Sequence, residues 1–132
     1  MKPREIIEKY YEYHATDWDA WIDLFDDNFL WMTSVNGRNI RVEGKKSMRE
    51  GVEREKKGYS KINEIPLEIF IKGNIGVAIV KIENVTVDGV PVNAKGACYF
   101  KIEREKIVHV EIFFDSVALS PFYNQFDKEK HG

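Results

Sequence analysis

The stretch IVHVEIFFDS, residues 107–116, places several ionisable side chains on one side of a predicted strand. Successive side chains of a strand point to opposite faces, so Ile107, His109, Glu111 and Asp115 share one face. A His and a Glu at this spacing can form a proton relay or ligate a metal, and an Asp beside them can act as general acid or base. This face therefore either lines a cavity or lies at a solvent-exposed rim.

A second pair with the same spacing is Lys81 and Glu83. The two side chains either form an exposed ion pair on a strand or supply a cation and an acid to a pocket. No second paired-ligand motif accompanies His109 and Glu111, so we predict no metal and no other cofactor.

Composition narrows the class of protein. The chain has 132 residues, of which 43% are apolar and 13% aromatic, enough for one domain with its own core. We predict a single domain over residues 1–132, with a core at about 3–123 and a tail at 124–132. The net charge of −2 gives no basic surplus for a phosphate backbone, so we expect no nucleic-acid partner.

The expected location follows from similar arguments. Cys98 is the one cysteine, which excludes an internal disulfide and fits a reducing compartment. The first residues, MKPREIIEKYYEYH, are too charged for a secretory signal, and no apolar run approaches the ~18 residues of a membrane span. We therefore predict a cytoplasmic protein with no membrane partner.

The first part of the chain has the periodicity of helices. Apolar side chains recur every three or four residues over 3–15, and again from Trp18 through Phe25. Residues 26–28 end this second helix, and a hairpin with an Asn-Gly turn follows. A third, mostly solvated helix is predicted between Gly44 and Gly58.

From residue 61 the period changes to two, which predicts strands. The first of these has one buried face, alternating with polar positions that include Glu64. Its buried face is expected to hold Ile65, Leu67, Ile69 and Ile71. The strands form a meander that residues 107–116 complete. We predict an α+β fold, in which a strongly curved, mainly antiparallel sheet wraps around three N-terminal helices as a cone.

The order of these pieces resembles one known superfamily. The segments DWDAWIDLFDDNF, VEGKKSMREGV and EIFFDSVAL, arranged around a hairpin and a meander, look like the nuclear transport factor 2-like superfamily. The chain is most similar to its ketosteroid isomerase, SnoaL-like cyclase and limonene epoxide hydrolase branches, over roughly residues 5–123. The resemblance implies the cone-shaped fold and a pocket for a small apolar molecule. It leaves the activity open, because this fold hosts enzymes and non-catalytic modules.

The isomerases of this superfamily place a basic Asp in the first strand, where this chain has Thr33. A hydroxyl without an activating partner cannot be that base near neutral pH. Their oxyanion hole uses a Tyr from the first helix, for which Tyr10 or Tyr13 is in phase, and an acid near the position of Cys98, whose thiol is a poor donor. The resemblance therefore argues against isomerase chemistry by that route.

The epoxide hydrolases of this fold use two carboxylates bridged by an Arg, and their closing strand ends in an aromatic pair followed by an acid. Phe113-Phe114-Asp115 matches that ending, which makes Asp115 the candidate acid.

The other epoxide hydrolase positions match less well. Depending on where the alignment gap lies, the Arg and Asp positions fall on Lys81 and Glu83 or on Ile79 and Lys81. The Tyr and Asn that hold water in those enzymes correspond to Trp31 and Thr33.

Two functions remain open. In the first, the chain is a small-molecule enzyme in which Asp115 is the general acid or base and Glu83, Glu111 or His109 modulates its pKa. In the second, these acids lie at the rim, and the domain binds an apolar ligand or a partner protein without turnover. The residues expected to line the pocket are Tyr10, Tyr13, Trp31, Thr33, Cys98, Phe100, Phe113 and Phe122.

We also expect a homodimer. Proteins resembling this fold commonly pair through the outer face of the meander, where Tyr99, Ile69 or Phe70 and the apolar face of 107–116 can supply the surface. The tail SPFYNQFDKEKHG has aromatic residues at near-helical spacing, so we predict that it covers the open end of the cone, with fraying beyond Asp127.

Overall fold

A computed structural model describes the backbone of residues 1–131 and the side chains of residues 1–126. Its helices are α1 (Pro3–Tyr13), α2 (Trp18–Asp23), α3 (Gly44–Gly58) and α4 (Ser116–His131). Its strands are β1 (Phe25–Val35), β2 (Arg38–Glu43), β3 (Tyr59–Lys61), β4 (Glu64–Lys72), β5 (Ile75–Thr86), β6 (Pro91–Glu103) and β7 (Lys106–Phe113). No helix in this part of the chain is long and apolar enough to cross a membrane.

The strands form one strongly curled sheet in the order β2-β1-β7-β6-β5-β3, with β4 also paired to β5. The β1–β7 pair is parallel and the other pairs are antiparallel. The helix α1 packs against the concave face and buries Ile6, Ile7, Tyr10 and Tyr11. The predicted α+β class, a mainly antiparallel sheet curled around the N-terminal helices, is confirmed.

The second helix is shorter than the sequence predicts. Asp17 caps its N-terminus by accepting a hydrogen bond from the backbone N–H of Ala20 at 3.1 Å. The helix ends at Asp23, however, and Phe25 begins β1. The prediction that Phe25 belongs to the helix is wrong, because its ring is fully buried from a strand position, 5.0 Å from the Trp21 ring.

The strand β4 contains an irregularity that shapes one end of the interior. Its register against β5 shifts between Pro66 and Glu68, which leaves Leu67 as an extra residue. Such a bulge reverses the alternation of the side chains that follow it. Before the bulge, Glu64 pairs with Ile82, which lies on the buried face of β5. Glu64 is therefore carried to the interior side.

The predicted buried face of β4 is half wrong for this reason. Ile69 and Ile71, beyond the bulge, pack against the core as expected. Ile65 precedes the bulge and alternates with the inward Glu64, and Leu67 is 47% exposed. A strict alternation across residues 64–71 misassigned both residues.

A second register shift, between Lys101 and Ile102 of β6, affects β7. Beyond it Ile107 is fully buried, whereas His109 remains half-buried on the outer face beside Tyr99. The prediction that Ile107 shares the face of His109 is therefore wrong. Val110 is also fully buried, so the apolar face of 107–116 lies in the interior and cannot supply a dimer surface, contrary to expectation.

The helix α4 covers the open end of the curled sheet. The Phe122 ring stacks on Tyr59, with centroids 4.3 Å apart and planes within 7°. Gly58 lies beneath it, where a Cβ would come within 2.5 Å of the Phe122 ring. The helix continues through position 124, where a tail was predicted, and the fraying expected beyond Asp127 concerns side chains outside the described residues.

Gly96 allows β6 to pass close beneath the end of β7. A Cβ at this position would overlap the carbonyl oxygen of Phe113 and lie 2.7 Å from the Phe114 ring. We expect Gly96→Ala to lower the free energy of unfolding by about 3 kcal/mol, because backbone must move to admit the methyl group. Urea denaturation measures this.

The matched control is Gly51→Ala, inside α3, where a Cβ would make an ordinary 3.7 Å contact with Arg54. This change should stabilise the protein by about 1 kcal/mol through helix propensity. A Gly96→Ala protein as stable as the wild type would contradict the close approach of β6 and β7.

Candidate functional site

The curled sheet and all four described helices enclose a cavity of about 100 Å³. Its wall is mostly aromatic and aliphatic, with a few ionisable groups. This volume is below the roughly 300–1,000 Å³ of typical ligand sites. The cavity is therefore suited to a compact molecule, or to part of a larger one.

Three of these ionisable groups, His14, Glu55 and Glu64, form one cluster. His14 follows α1, Glu55 belongs to α3 and Glu64 to β4. The Nε2 atom of His14 lies 3.3 Å from Glu55 Oε1, and its Nδ1 atom lies 3.7 Å from Glu64 Oε1. The imidazole is thus held between two carboxylates that come from distant parts of the chain.

Aromatic rings surround the imidazole of His14, which is 8% exposed. The rings of Trp18 and Trp21 meet it edge-to-face at 4.8 and 5.3 Å, and Tyr10 stacks on it at 6.3 Å. Such rings exclude water and attract a cation. Burial among these rings would by itself disfavour a charged imidazole, and the nearby carboxylates reverse that effect.

Glu64 is fixed by a buried amide. Asn84, which is 1% exposed, donates a hydrogen bond from Nδ2 to Glu64 Oε2 at 3.3 Å. The Asn84 Oδ1 atom accepts a hydrogen bond from the backbone N–H of Asn63 at 2.7 Å. This fixes the orientation of the amide and leaves the other Glu64 oxygen facing His14.

The cluster perturbs the protonation of its members. Burial alone would lower the pKa of His14, but the nearby carboxylates of Glu64 and then Glu55 outweigh it and raise the pKa from 6.5 to about 9. Burial also raises the pKa of Glu64, and the Glu55 charge adds to this, against the opposing effect of the imidazolium. At neutral pH, His14 is therefore a cation and Glu64 a stronger base than an ordinary carboxylate.

Among the described residues, the same three could hold a metal ion, since one ligand atom from each lies within 4.8 Å of the others. The two carboxylates contact different nitrogens of the ring, however. That arrangement suits an imidazolium, which has two N–H donors, better than a neutral imidazole with one free ligand nitrogen. The expected absence of a metal stays a prediction.

Several polar groups near the cluster complete the wall. Burial raises the pKa of the Cys98 thiol to about 12, so the thiol stays protonated. The Tyr10 hydroxyl accepts a hydrogen bond from Trp31 Nε1 at 3.4 Å. Among the described side chains, three buried polar atoms have no hydrogen-bond partner: the Tyr11 hydroxyl, Trp21 Nε1 and His14 Nδ1, which lies 3.7 Å from Glu64. The Tyr11 hydroxyl lies beside the Cys98 thiol. The Tyr11 and Trp21 groups are donors that an oxygen atom of a ligand can use.

The residues predicted to line the pocket divide into two groups. Those in the wall of the cavity are Tyr10, Trp31, Thr33, Cys98 and Phe122. Phe100 lies behind the wall, fully buried with its ring 5.0 Å from that of Tyr10. The Tyr13 hydroxyl, outside the wall, accepts a hydrogen bond from Lys9, and Phe113 is 56% exposed on the outer face of the sheet.

The residues predicted to be catalytic do not meet at the cavity. Lys81 pairs with Glu83 at 3.1 Å, and His109 pairs with Glu111 at 3.2 Å, on the outer face of the sheet. Asp115 is exposed and accepts a hydrogen bond from the backbone N–H of Val117 at the start of α4. Their predicted catalytic role gains no support from these positions.

A second depression, of about 400 Å³, lies where β1, β2 and the end of β7 meet. Thr33, Glu111 and Phe113 contribute to its wall. Among the described residues that line it, Glu111 is the one ionisable side chain. The groups that can move protons are therefore concentrated in the smaller cavity.

Sequence reasoning missed the cluster, although three signals were present. Pro66 inside a strand indicates an edge or a bulge, which would have reversed the face of Glu64. Glu55 follows Met48 and Val52 at helical spacing and so continues the thin buried edge of α3. The same helical spacing applied to His14, which follows Ile7 and Tyr10 on the buried side of α1.

Comparisons with solved structures define the fold. An NTF2-like protein of unknown function from Burkholderia pseudomallei superposes with a TM-score of 0.82 at 16% identity, over 92% of this chain and 98% of that one. A putative isomerase from Bacillus subtilis gives 0.76 at 16% identity, over 94% and 96%. A putative SnoaL-like polyketide cyclase from Jannaschia gives 0.72 at 14% identity, over 86% and 85%.

This chain has the nuclear transport factor 2-like fold. The resemblance in the sequence to this superfamily is thereby confirmed for the fold. No protein-family model matches the chain, and no curated protein does. At these identities the neighbours establish architecture alone, so the chemistry of this protein must be argued from its own residues.

The cluster predicts a measurable titration. We expect the His14 imidazole to titrate near pH 9 in an NMR titration of the ring, and Glu64→Gln to move its pKa toward the ordinary 6.5 because one carboxylate is lost. Glu68→Gln, an exposed position on the same strand, is the control and should leave His14 unchanged. A wild-type His14 that titrates near 6.5 would contradict the cluster.

The same shift makes stability depend on pH. Because the folded-state pKa of His14 lies above its ordinary value, its ion pairs contribute fully below pH 6.5 and are lost as the pH rises through about 9. The loss in unfolding free energy between these pH values, measured by urea denaturation, should be smaller in Glu64→Gln than in Glu68→Gln. Equal losses would show that Glu64 does not stabilise the imidazolium.

Proposed function

We propose that this protein binds a compact, mostly apolar small molecule in the cavity and transfers a proton to or from it through His14, Glu55 and Glu64. The observation that carries this proposal is a paired imidazolium and two carboxylates at the wall of an otherwise aromatic and aliphatic cavity. Acid and base groups with pKa values moved away from their ordinary range are typical of active sites.

The arrangement suits proton transfer next to a carbonyl group. Glu64 takes a proton from the carbon beside the carbonyl, the electron pair of the broken C–H bond forms a carbon–carbon double bond, and the π pair of the carbonyl moves onto its oxygen. The buried donors of Tyr11 and Trp21 stabilise that oxygen. Return of the proton from Glu64 to carbon regenerates the carboxylate. His14 positions Glu64 and stabilises its charge.

The fold neighbours agree with this proposal at a coarse level. One is named as a putative isomerase and another as a putative SnoaL-like polyketide cyclase, so enzymes are attributed to this architecture. These names carry no residue assignment to this chain.

A binding domain without turnover is the second candidate, and one observation favours it. Both nitrogens of His14 already face a carboxylate, so the cluster is paired without any ligand. A buried cluster of this kind can simply hold α1, α3 and β4 together.

One experiment separates the two functions. The protein is incubated with small enolisable ketones in D2O, and NMR measures both deuterium incorporation beside the carbonyl and ligand-induced chemical shift changes. If the protein is an enzyme, exchange should be catalysed, and Glu64→Gln should slow it about 100-fold or more because the base is lost. Glu68→Gln should exchange at the wild-type rate.

Binding without exchange in the wild type would favour the binding domain. Exchange that survives in Glu64→Gln would contradict the role given to Glu64. Thermal unfolding of each variant checks that the fold is retained.

The outer face of the sheet supports a homodimer as a further proposal. Phe70 and Phe113 are 57% and 56% exposed there, with Tyr99 between them on the intervening strand β6. Large apolar side chains on one sheet face are typical of a contact with a second copy of the chain. This surface includes Phe70 and Tyr99, two of the residues predicted to form the interface.

The homodimer is tested by sedimentation. We expect Phe113→Lys to weaken self-association at least about tenfold, because a charge would be buried without a partner. Val87→Lys is the control, since Val87 is 58% exposed in the turn between β5 and β6. A wild-type protein that sediments as a monomer would contradict the proposal.

The expectations about partners and cellular location still rest on the sequence. Two cations of the outer face pair with acids, Lys81 with Glu83 and Lys101 with Glu103, which is in keeping with the expectation of no nucleic-acid partner. The cytoplasmic location rests on the composition of the sequence.

A further inference from the structure

The acid cluster gives the cavity an excess of negative charge. The carboxylates of Glu55 and Glu64 share one imidazolium, that of His14, so one negative charge stays uncompensated when all three groups are ionised. Burial raises the pKa of Glu64, the imidazolium opposes this shift, and the charge of Glu55 adds to it. His14 therefore relieves the repulsion between the carboxylates only in part, and a further cation in the cavity would relieve more of it.

The negative charge also acts on other parts of the cavity wall. Burial raises the pKa of the Tyr123 hydroxyl, and the charges of Glu55 and Glu64 add to this shift. The exposed guanidinium of Arg54 opposes them with a smaller effect. Burial likewise raises the pKa of Tyr59, and the same two carboxylates add to that shift. The charges of the wall therefore favour a cation over an anion as the ligand.

The aromatic rings of the wall are a second feature that attracts cations. Besides His14, eight of the described residues that line the cavity are aromatic: Tyr10, Tyr11, Trp21, Trp31, Tyr59, Phe114, Phe122 and Tyr123. The face of an aromatic ring carries partial negative charge and binds alkylated ammonium groups, most strongly where water is excluded. A neutral apolar ligand could contact the same rings, but it would leave the charge of the carboxylates uncompensated.

We propose that the ligand of this cavity is a small organic cation, an ammonium group with short alkyl substituents, held by the aromatic rings beside Glu55 and Glu64. This inference rests on the proposed function, because it names the class of molecule that the same cavity takes. The volume limits the size of that molecule. Since an interior space of about 150 Å³ holds benzene, a space of about 100 Å³ is suited to about four or five non-hydrogen atoms.

A matched pair of probes tests the charge of the ligand. The tetramethylammonium ion and tert-butanol have the same number of non-hydrogen atoms around a tetrahedral centre, and they differ in charge. Each is titrated into 15N-labelled protein at neutral pH, and NMR follows the indole N–H signals of Trp21 and Trp31 in the cavity wall. We expect tetramethylammonium to bind about tenfold more tightly than tert-butanol, because the rings and the uncompensated carboxylate favour the ion.

Two variants locate the negative charge that selects the ion. The preference for tetramethylammonium should disappear in Glu55→Gln, which leaves one carboxylate for one imidazolium. Glu53→Gln, an exposed position on the same helix, should retain the preference. Thermal unfolding checks that both variants keep the fold, and the comparison of the two probes in the wild type tests the proposal without any substitution.

The outcomes separate this inference from the proposed function. Tert-butanol that binds as tightly as tetramethylammonium, or a preference for the ion that survives Glu55→Gln, would overturn the inference. Potassium ions that shift the two indole signals as much as tetramethylammonium does would also overturn it, because they indicate an effect of charge without the aromatic contact. Binding of neither probe would overturn it as well. The proposed proton transfer is decided separately, by deuterium exchange into ketones and its loss in Glu64→Gln.

Discussion

The pairing of His14 with Glu55 and Glu64 is the interaction on which the interior of this protein depends. It joins the end of α1, one face of α3 and the first residue of β4, which are far apart in sequence. Removing one partner from such a buried group typically costs about 3–5 kcal/mol, because an unpaired charge is left behind. The rings of Trp18 and Trp21 make the pairing stronger by excluding water, and they also make its loss more costly.

The bulge in β4 links this interaction to the backbone. Without the extra residue at Leu67, the inward positions of β4 could not include both Glu64 and Ile69, since these residues are five apart. The bulge therefore lets one strand supply an acid to the cavity at its start and apolar side chains to the core at its end. A local backbone irregularity determines where the chemistry of the site is placed.

The sequence was sufficient for the fold because period, turns and element order all agreed. It was insufficient for the site because alternation is a local rule, and register shifts override it at Leu67 and between Ile107 and His109. The prediction that Asp115 is the candidate acid rested on a similarly local pattern. An acid after an aromatic pair matched an expected ending, but its carboxylate caps α4 in the structure. Contacts between distant elements, such as His14 with Glu64, leave no periodic signature in a single sequence.

The stacking of Phe122 on Tyr59 has a consequence for kinetics. Because α4 contributes Leu119, Phe122 and Tyr123 to the wall, a molecule larger than the present cavity would require this helix to shift. For such a molecule, the association rate would depend on how often the aromatic contact opens. A bound molecule would be retained by the same contact, so a long residence time does not require a strong affinity for the cavity wall. The close packing of Phe122 over Gly58 would thus slow the exchange of such a molecule between cavity and solvent.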